Sequence, residues 1–68
     1  MKKDEMLSLV GKKVKVIFTD GEVVEGILAY ADTFSEKNHF VKPGYFYFRN
    51  LRPNVSFRVS HTKKVVIL

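Results

Sequence analysis

The chain has 68 residues, a formal net charge of +5 and no cysteine. A chain of this length forms one small domain, residues 1–68, and the lack of cysteine excludes disulfides as support for its core. The apolar run at residues 6–10 is interrupted by Ser8 and is too short for a signal-peptide core or a membrane span. The sequence therefore predicts a protein of the reducing cytoplasm with no membrane association.

The first predicted strand covers residues 13–19, where apolar and polar residues alternate as in a half-buried strand. Its predicted inward residues are Val14, Val16 and Phe18. Asp20-Gly21 follows and is predicted to close a hairpin through a two-residue type I′ turn, because both residues tolerate positive φ angles. The return strand then places Val24, Leu28 and Tyr30 on one face, together with Gly26. A missing side chain at Gly26 allows the sharp bend that a small barrel needs.

The second half predicts a long loop and three further strands. Residues 33–44 are polar and end in the turn pair Pro43-Gly44, so they form a loop longer than a plain hairpin needs. A third strand is predicted over residues 45–49, with Phe46 and Phe48 on one face. Residues 50–54 are a predicted turn, residues 55–60 a fourth strand, residues 61–62 another turn and residues 64–68 a fifth strand.

The order of features in residues 7–32 resembles the first motif of the Sm and Sm-like (LSm) proteins: an alternating strand, Asp20-Gly21, Gly26, Ile27-Leu28 and Ala31-Asp32. Residues 6–10 lie where those proteins carry an N-terminal helix. The resemblance implies an all-β fold, a five-stranded, strongly bent antiparallel SH3-like barrel with a short N-terminal helix. It also implies assembly into rings that bind single-stranded RNA in their lumen.

The second half departs from that family pattern. Ser35 and Glu36 occupy the places of the family's base-binding residues, and residues 60–63 occupy the place of its second motif. Two short segments, residues 42–46 and 59–61, have a loose similarity to short bacterial and mobile-element proteins.

The last strand predicts self-association. Residues 65–68 are uncharged and β-prone, and as a free edge they would invite aggregation. In Sm-like rings the fourth and fifth strands of neighbouring subunits pair, so the chain is expected to form a homo-oligomer through its last two strands. The alternative is that the fifth strand is paired on both sides within one barrel, and the protein is then a monomer.

Charge favours a phosphate-bearing partner. All seven acidic residues lie at or before Glu36, and residues 37–68 carry seven Lys or Arg. Such asymmetry is typical of a surface that meets RNA, DNA or lipid head groups, although the same charges can simply keep a small barrel soluble. His39 and His61 have no metal-ligand spacing, and Glu22 and Glu25 lie on opposite strand faces. The sequence therefore predicts neither an enzyme nor a cofactor or metal.

The predicted nucleic-acid-binding residues form three groups. Tyr45 and Tyr47 stack bases beside Arg49, or alternatively pack against the helix or a neighbouring subunit. The loop group is Asp32, Phe34, Asn38 and His39, in which Phe34 either stacks a base or plugs the loop. The predicted phosphate-binding residues are Arg52, Arg58, His61, Lys63 and Lys64.

The function predicted from the sequence is non-catalytic binding of single-stranded RNA. The alternative is a protein-interaction or structural module that recognises a protein partner through the Tyr45/Tyr47 face and the loop at residues 33–44.

Overall fold

The computed structural model describes residues 2–51 and 55–68. They form one short helix, α1 (Lys3–Leu7), and four strands: β1 (Lys13–Phe18), β2 (Val23–Tyr30), β3 (Phe46–Phe48) and β4 (Thr62–Ile67). Short 3₁₀ turns lie at Glu36–Asn38 and Val59–His61. The strands pair antiparallel in the order β3-β2-β1-β4. The coarse prediction of a mostly β fold with a short N-terminal helix is confirmed, and the helix begins three residues before its predicted place, at Lys3.

The main core lies on the predicted face of the first hairpin. Val14, Val16 and Phe18 alternate with more exposed neighbours along β1 and are buried, as the sequence pattern predicts. Gly26 of β2 lies directly beneath Phe48 of β3. A Cβ atom at Gly26 would approach Phe48 Cδ1 and Asn50 Oδ1 to 2.9 Å. Glycine at this position therefore permits the side chains of Phe48 and Asn50 to lie against the β2 backbone.

The hairpin between β1 and β2 has a three-residue loop, and the predicted two-residue type I′ turn is wrong. Ile17 pairs with Val23 in the register, and the Phe18 amide donates to the Glu22 carbonyl at 2.8 Å. A type I′ turn needs two residues at positive φ, whereas Gly21 alone has one here, at 91°. The Asp20 carboxylate accepts a hydrogen bond from the Glu22 amide at 3.0 Å. This side-chain bond stabilises the wider loop without positive φ at Asp20.

Both faces of β3 are buried. Phe46 and Phe48 join the main core, as predicted, whereas Tyr47 points to the other face and packs into a second cluster. The other members of that cluster are Ala29, Ala31 and Val41, with Tyr45 partly buried against them. Val41 belongs to the loop between β2 and β3, so this loop folds back over the outer face of the sheet and covers it. The third strand is also shorter than its predicted range of 45–49.

The C-terminal segment differs from the two strands predicted for it. Within residues 55–59, Phe57 forms a single antiparallel bridge with Phe46, and the 3₁₀ turn begins at Val59. The predicted fifth strand corresponds to β4, which begins at Thr62 and pairs with β1. Among the described residues, no strand pairs with the other edge of β4. Most of the predicted turn at residues 50–54, including Arg52, lies outside the described residues.

Candidate functional site

The loop between β2 and β3 is organised by one buried amide side chain. Asn38 is 5% exposed, and its Nδ2 donates to Asp32 Oδ1 and to the Thr33 carbonyl, both at 2.9 Å. The Tyr47 hydroxyl donates to Asn38 Oδ1 at 3.3 Å. Asn38 thus connects the start of the loop to β3 and the second cluster. The sequence predicts that Asn38 lies in a binding pocket. In the structure its side chain faces inward and forms its hydrogen bonds with other groups of the chain.

Asp32 is the exposed end of this network. The hydrogen bond from Asn38 is the largest cause that lowers the pKa of Asp32 below its ordinary value of 3.8, followed by bonds to backbone amides. Lys37 contributes a further favourable charge. Asp32 is therefore ionised at neutral pH and serves as a fixed acceptor for the loop, which is the structural role an Asp in a turn commonly has.

Two consecutive loop residues adopt a left-handed backbone without being glycine. His39 has φ 55° and Phe40 has φ 57°. For a bulky residue such as Phe this conformation is disfavoured, by roughly 1–2 kcal/mol per residue. The conformation is maintained by bonds from the Phe40 amide to the Ser35 carbonyl at 2.9 Å and from the Val41 amide to the Asn38 carbonyl at 3.0 Å. Strain of this kind persists where the surrounding structure fixes the backbone, and it is concentrated at binding sites.

The strained turn presents a pair of phenyl rings at the surface, the Phe34/Phe40 pair. Phe34 is 64% exposed and Phe40 is 59% exposed. Their ring centroids are 5.6 Å apart with an interplanar angle of 52°. The sequence identifies Phe34 as a candidate but misses Phe40. An aromatic residue in a loop followed by Val41 gives no indication of whether it packs inward or outward.

The predicted tyrosine face is not an open surface. Tyr47 is 1% exposed, so the expectation that its ring is available beside Tyr45 is wrong for this residue. The ring lies 5.4 Å from that of His39, and the loop covers it. Tyr45 remains half-buried, with the Lys42 ammonium 6.0 Å and the Arg58 guanidinium 5.9 Å from its ring centroid. Tyr45 therefore interacts with cations, while Tyr47 supports the loop.

The predicted phosphate-binding residues that the structure describes are exposed but lie on different elements. Arg49 follows β3, and Lys63 and Lys64 lie on β4, so these two groups belong to opposite edge strands of the sheet order. Arg58 precedes the second 3₁₀ turn and His61 ends it; both are exposed. Arg52 lies outside the described residues. Within the part of the chain that the structure describes, these cations are not gathered on one element, although Arg49, Arg58, Lys63 and Lys64 are each exposed to solvent.

Within residues 2–51 and 55–68, no group of three or more His, Cys, Asp or Glu could hold a metal ion. No helix in this part of the chain is long and apolar enough to cross a membrane.

Comparison with known proteins finds no matching family model, no matching curated protein and no matching solved structure. The resemblance of residues 7–32 to the Sm-like proteins therefore stays a prediction.

Proposed function

We propose that this chain is a small Sm-like, SH3-like barrel that binds single-stranded RNA without catalysis, and that the Phe34/Phe40 pair stacks on the bases. The observation that carries this proposal is the presentation of two exposed rings by a hydrogen-bonded, strained loop. Base–aromatic stacking contributes about 1–3 kcal/mol per base and tolerates any sequence, because every base has a π face. Unpaired bases are free to reach such rings, which favours single strands over duplexes.

Contacts across the core support the barrel form. Phe57 is bridged to Phe46 at the outer edge of β3, and its ring also packs edge-on against Phe18 at the end of β1. The centroids of Phe57 and Phe18 are 5.0 Å apart with an interplanar angle of 83°. The chain then passes through the 3₁₀ turn at Val59–His61 into β4, the opposite edge strand. This contact supports the proposal that the sheet is bent towards a small barrel.

The basic second half supplies the electrostatic part of the proposal. No acidic residue follows Glu36 in the sequence. The exposed cations of that half that fall within the described residues and outside the loop are Arg49, Arg58, Lys63 and Lys64. Phosphate neutralisation by such residues supplies most of the sequence-independent affinity of nucleic-acid-binding proteins. Stacking on the ring pair and phosphate contacts at these cations together suit a single-stranded ligand.

Self-association belongs to the same proposal. The edge of β4 that faces away from β1 is unpaired among the described residues, and Ile67 there is 55% exposed. Pairing of this edge with another copy would satisfy its backbone groups and cover apolar surface. A homo-oligomer would also present several ring pairs to one RNA strand, which raises the overall affinity without any new contact.

The test is fluorescence anisotropy with a short labelled oligouridine. Phe34→Ala and Phe40→Ala should each weaken binding by about 1–3 kcal/mol, the usual value of one base stack. Assembly should be unchanged in both variants. Val23→Ala is the matched control, since it truncates another exposed apolar side chain, 50% exposed, outside the loop. Phe34→Leu keeps apolar bulk without a flat ring and should bind nearly as weakly as the alanine variant.

The result that contradicts the stacking role is specific. If Phe34→Ala lowers thermal stability and leaves RNA affinity unchanged, the ring is a structural plug of the loop. If both alanine variants stay folded and bind RNA like the wild type, the Phe34/Phe40 pair is not the base-binding element.

A second candidate function, recognition of a protein partner, is favoured by the charge of the loop itself. Asp32 and Glu36 balance Lys37 and Lys42 there, so the ring pair has no local excess of positive charge. An exposed aromatic pair without basic surroundings is also typical of a protein-docking surface. In that case Phe34→Leu should retain partner binding, and the wild type should show no affinity for RNA.

A further inference from the structure

A cavity separate from the exposed ring pair lies between the hairpin loop at residues 19–21 and the segment at residues 55–61. Its volume is about 430 Å³, and the rings of Phe18, Phe57 and Tyr45 contribute to its lining. Phe18 and Phe57 are themselves almost fully buried, so they form a fixed aromatic wall. The volume falls within the usual range of small-ligand sites.

The lining of the cavity includes acidic residues, although the chain as a whole is basic. Asp20 and Glu22 line the cavity, and none of the described lining residues is Lys or Arg. Yet the chain as a whole carries a net charge of +5. Asp20 is fixed in place, because its Oδ1 accepts the hydrogen bond from the Glu22 amide at 3.0 Å. His61 also lines the cavity, but two carboxylates in the lining disfavour phosphate, so this cavity lies outside the proposed RNA site.

Aromatic walls combined with carboxylates suit an organic cation. The Tyr45 ring already interacts with cations of the chain itself, the guanidinium of Arg58 at 5.9 Å and the ammonium of Lys42 at 6.0 Å. A guanidinium is planar, stacks on aromatic faces and donates paired N–H bonds to carboxylates. An ammonium group is not planar, so it cannot stack on an aromatic face or donate paired N–H bonds in this way. Charge complementarity therefore favours arginine over any neutral or anionic occupant.

We infer that this cavity binds an arginine side chain of a protein partner, with the guanidinium between the aromatic wall and the carboxylates of Asp20 and Glu22. The site does not depend on RNA binding by the Phe34/Phe40 pair, with which it shares no residue. It does include Tyr45 and His61, which the sequence predicts to be nucleic-acid-binding residues.

The first test is an NMR titration of the ¹⁵N-labelled full chain with the blocked tripeptide acetyl-Gly-Arg-Gly-amide. Saturable shifts are expected at the amides of Thr19, Asp20 and Ser56, which line the cavity. The same tripeptide with citrulline in place of arginine has nearly the same shape without the charge. It should bind at least about tenfold more weakly, because it cannot form a charge-assisted bond to the carboxylates. The absence of saturable shifts, or equal binding of the two peptides, would overturn the assignment.

The second test uses variants that preserve the fold. Asp20→Asn keeps a turn-forming residue before Gly21 and an oxygen that can accept a hydrogen bond from the Glu22 amide, and Glu22→Gln keeps the side-chain size. Each should weaken arginine-peptide binding about tenfold. Glu25→Gln is the matched control, because it removes an exposed acid of β2 that does not line the cavity.

Two outcomes of these experiments would refute the site. If Glu25→Gln weakens peptide binding as much as the two cavity variants, the peptide responds to overall charge and not to the cavity. If oligouridine shifts the same amides and competes with the arginine peptide, the cavity serves nucleic acid instead of protein. Loss of RNA binding in Phe34→Ala with intact peptide binding would separate the two proposals.

Discussion

Replacement of Asn38 by alanine tests whether one buried amide organises the loop between β2 and β3. The substitution removes the bonds from Nδ2 to Asp32 Oδ1 and the Thr33 carbonyl, both 2.9 Å long. It also removes the acceptor of the Tyr47 hydroxyl, which lies on a side chain that is 1% exposed. The hydroxyl of Tyr47 is then left buried without its partner, while the exposed carboxylate of Asp32 is hydrated by water.

The expected destabilisation by Asn38→Ala comes from two lost hydrogen bonds, that of the buried Tyr47 hydroxyl and that to the Thr33 carbonyl. An orphaned buried hydroxyl costs about 1–3 kcal/mol, and a lost neutral hydrogen bond such as that to Thr33 costs about 0.5–1.5 kcal/mol. We therefore expect Asn38→Ala to lower the free energy of unfolding by about 2–4 kcal/mol. That is a large part of the 5–15 kcal/mol typical of a whole domain.

Urea unfolding followed by circular dichroism measures this free energy, and a double-mutant cycle with Tyr47→Phe locates it. Phenylalanine at position 47 has no hydroxyl to leave unpaired. The loss of unfolding free energy in the double variant should therefore be smaller than the sum of the two single losses by about 1 kcal/mol or more. The reasoning is refuted if Asn38→Ala stays within about 0.5 kcal/mol of the wild type, the range of ordinary surface substitutions. Strict additivity in the cycle would refute the Asn38–Tyr47 bond.

Three further predictions concern other parts of the molecule. The pKa of Asp32 is lowered in the folded chain, so the contribution of ionised Asp32 to stability is present above the ordinary pKa of 3.8 and is lost as the pH falls through the lower folded pKa. In an NMR pH titration, Asn38→Ala should move the midpoint of Asp32 up towards 3.8. An unchanged midpoint would exclude Asn38 as the cause of the lowered pKa. Gly26→Ala brings a Cβ to 2.9 Å from Phe48 and Asn50, so urea unfolding should show a loss of about 1–3 kcal/mol, whereas unchanged stability would mean that β3 can move away. Light scattering should give the wild type a mass several times that of one chain. Ile67→Lys should reduce this mass, because it places a charge on the β4 edge. A folded wild-type monomer would contradict the oligomer proposal.

The first hairpin could be predicted because its determinants are local. Alternation over β1 fixes which residues face the core, and the buried positions Val14, Val16 and Phe18 follow from it directly. The turn was mispredicted because the Asp20 carboxylate bonds the Glu22 amide and stabilises a three-residue loop, a competition that the dipeptide Asp-Gly does not reveal. The strand pattern is thus more predictable than the turn that joins the strands.

The candidate site was less predictable because it depends on tertiary contacts. Tyr47 alternates like an exposed residue, but the loop folds over it and Val41 packs beside it. Consecutive left-handed residues at His39 and Phe40 are not expected of non-glycine residues, so no local rule predicts the outward direction of the Phe40 ring. The single bridge at Phe57 likewise replaces a strand whose alternation looked regular from the sequence.

The measurement that tests the proposed RNA binding most directly is the salt dependence of oligouridine affinity. A phosphate-reading surface predicts that log K falls linearly with log salt concentration, with a slope of about −0.7 for each phosphate contact. Arg58→Glu should flatten that slope by about 0.7, whereas Lys12→Glu, the same charge reversal at an exposed residue before β1, should leave it nearly unchanged. A wild-type chain without salt-sensitive affinity for RNA at low ionic strength would contradict the account.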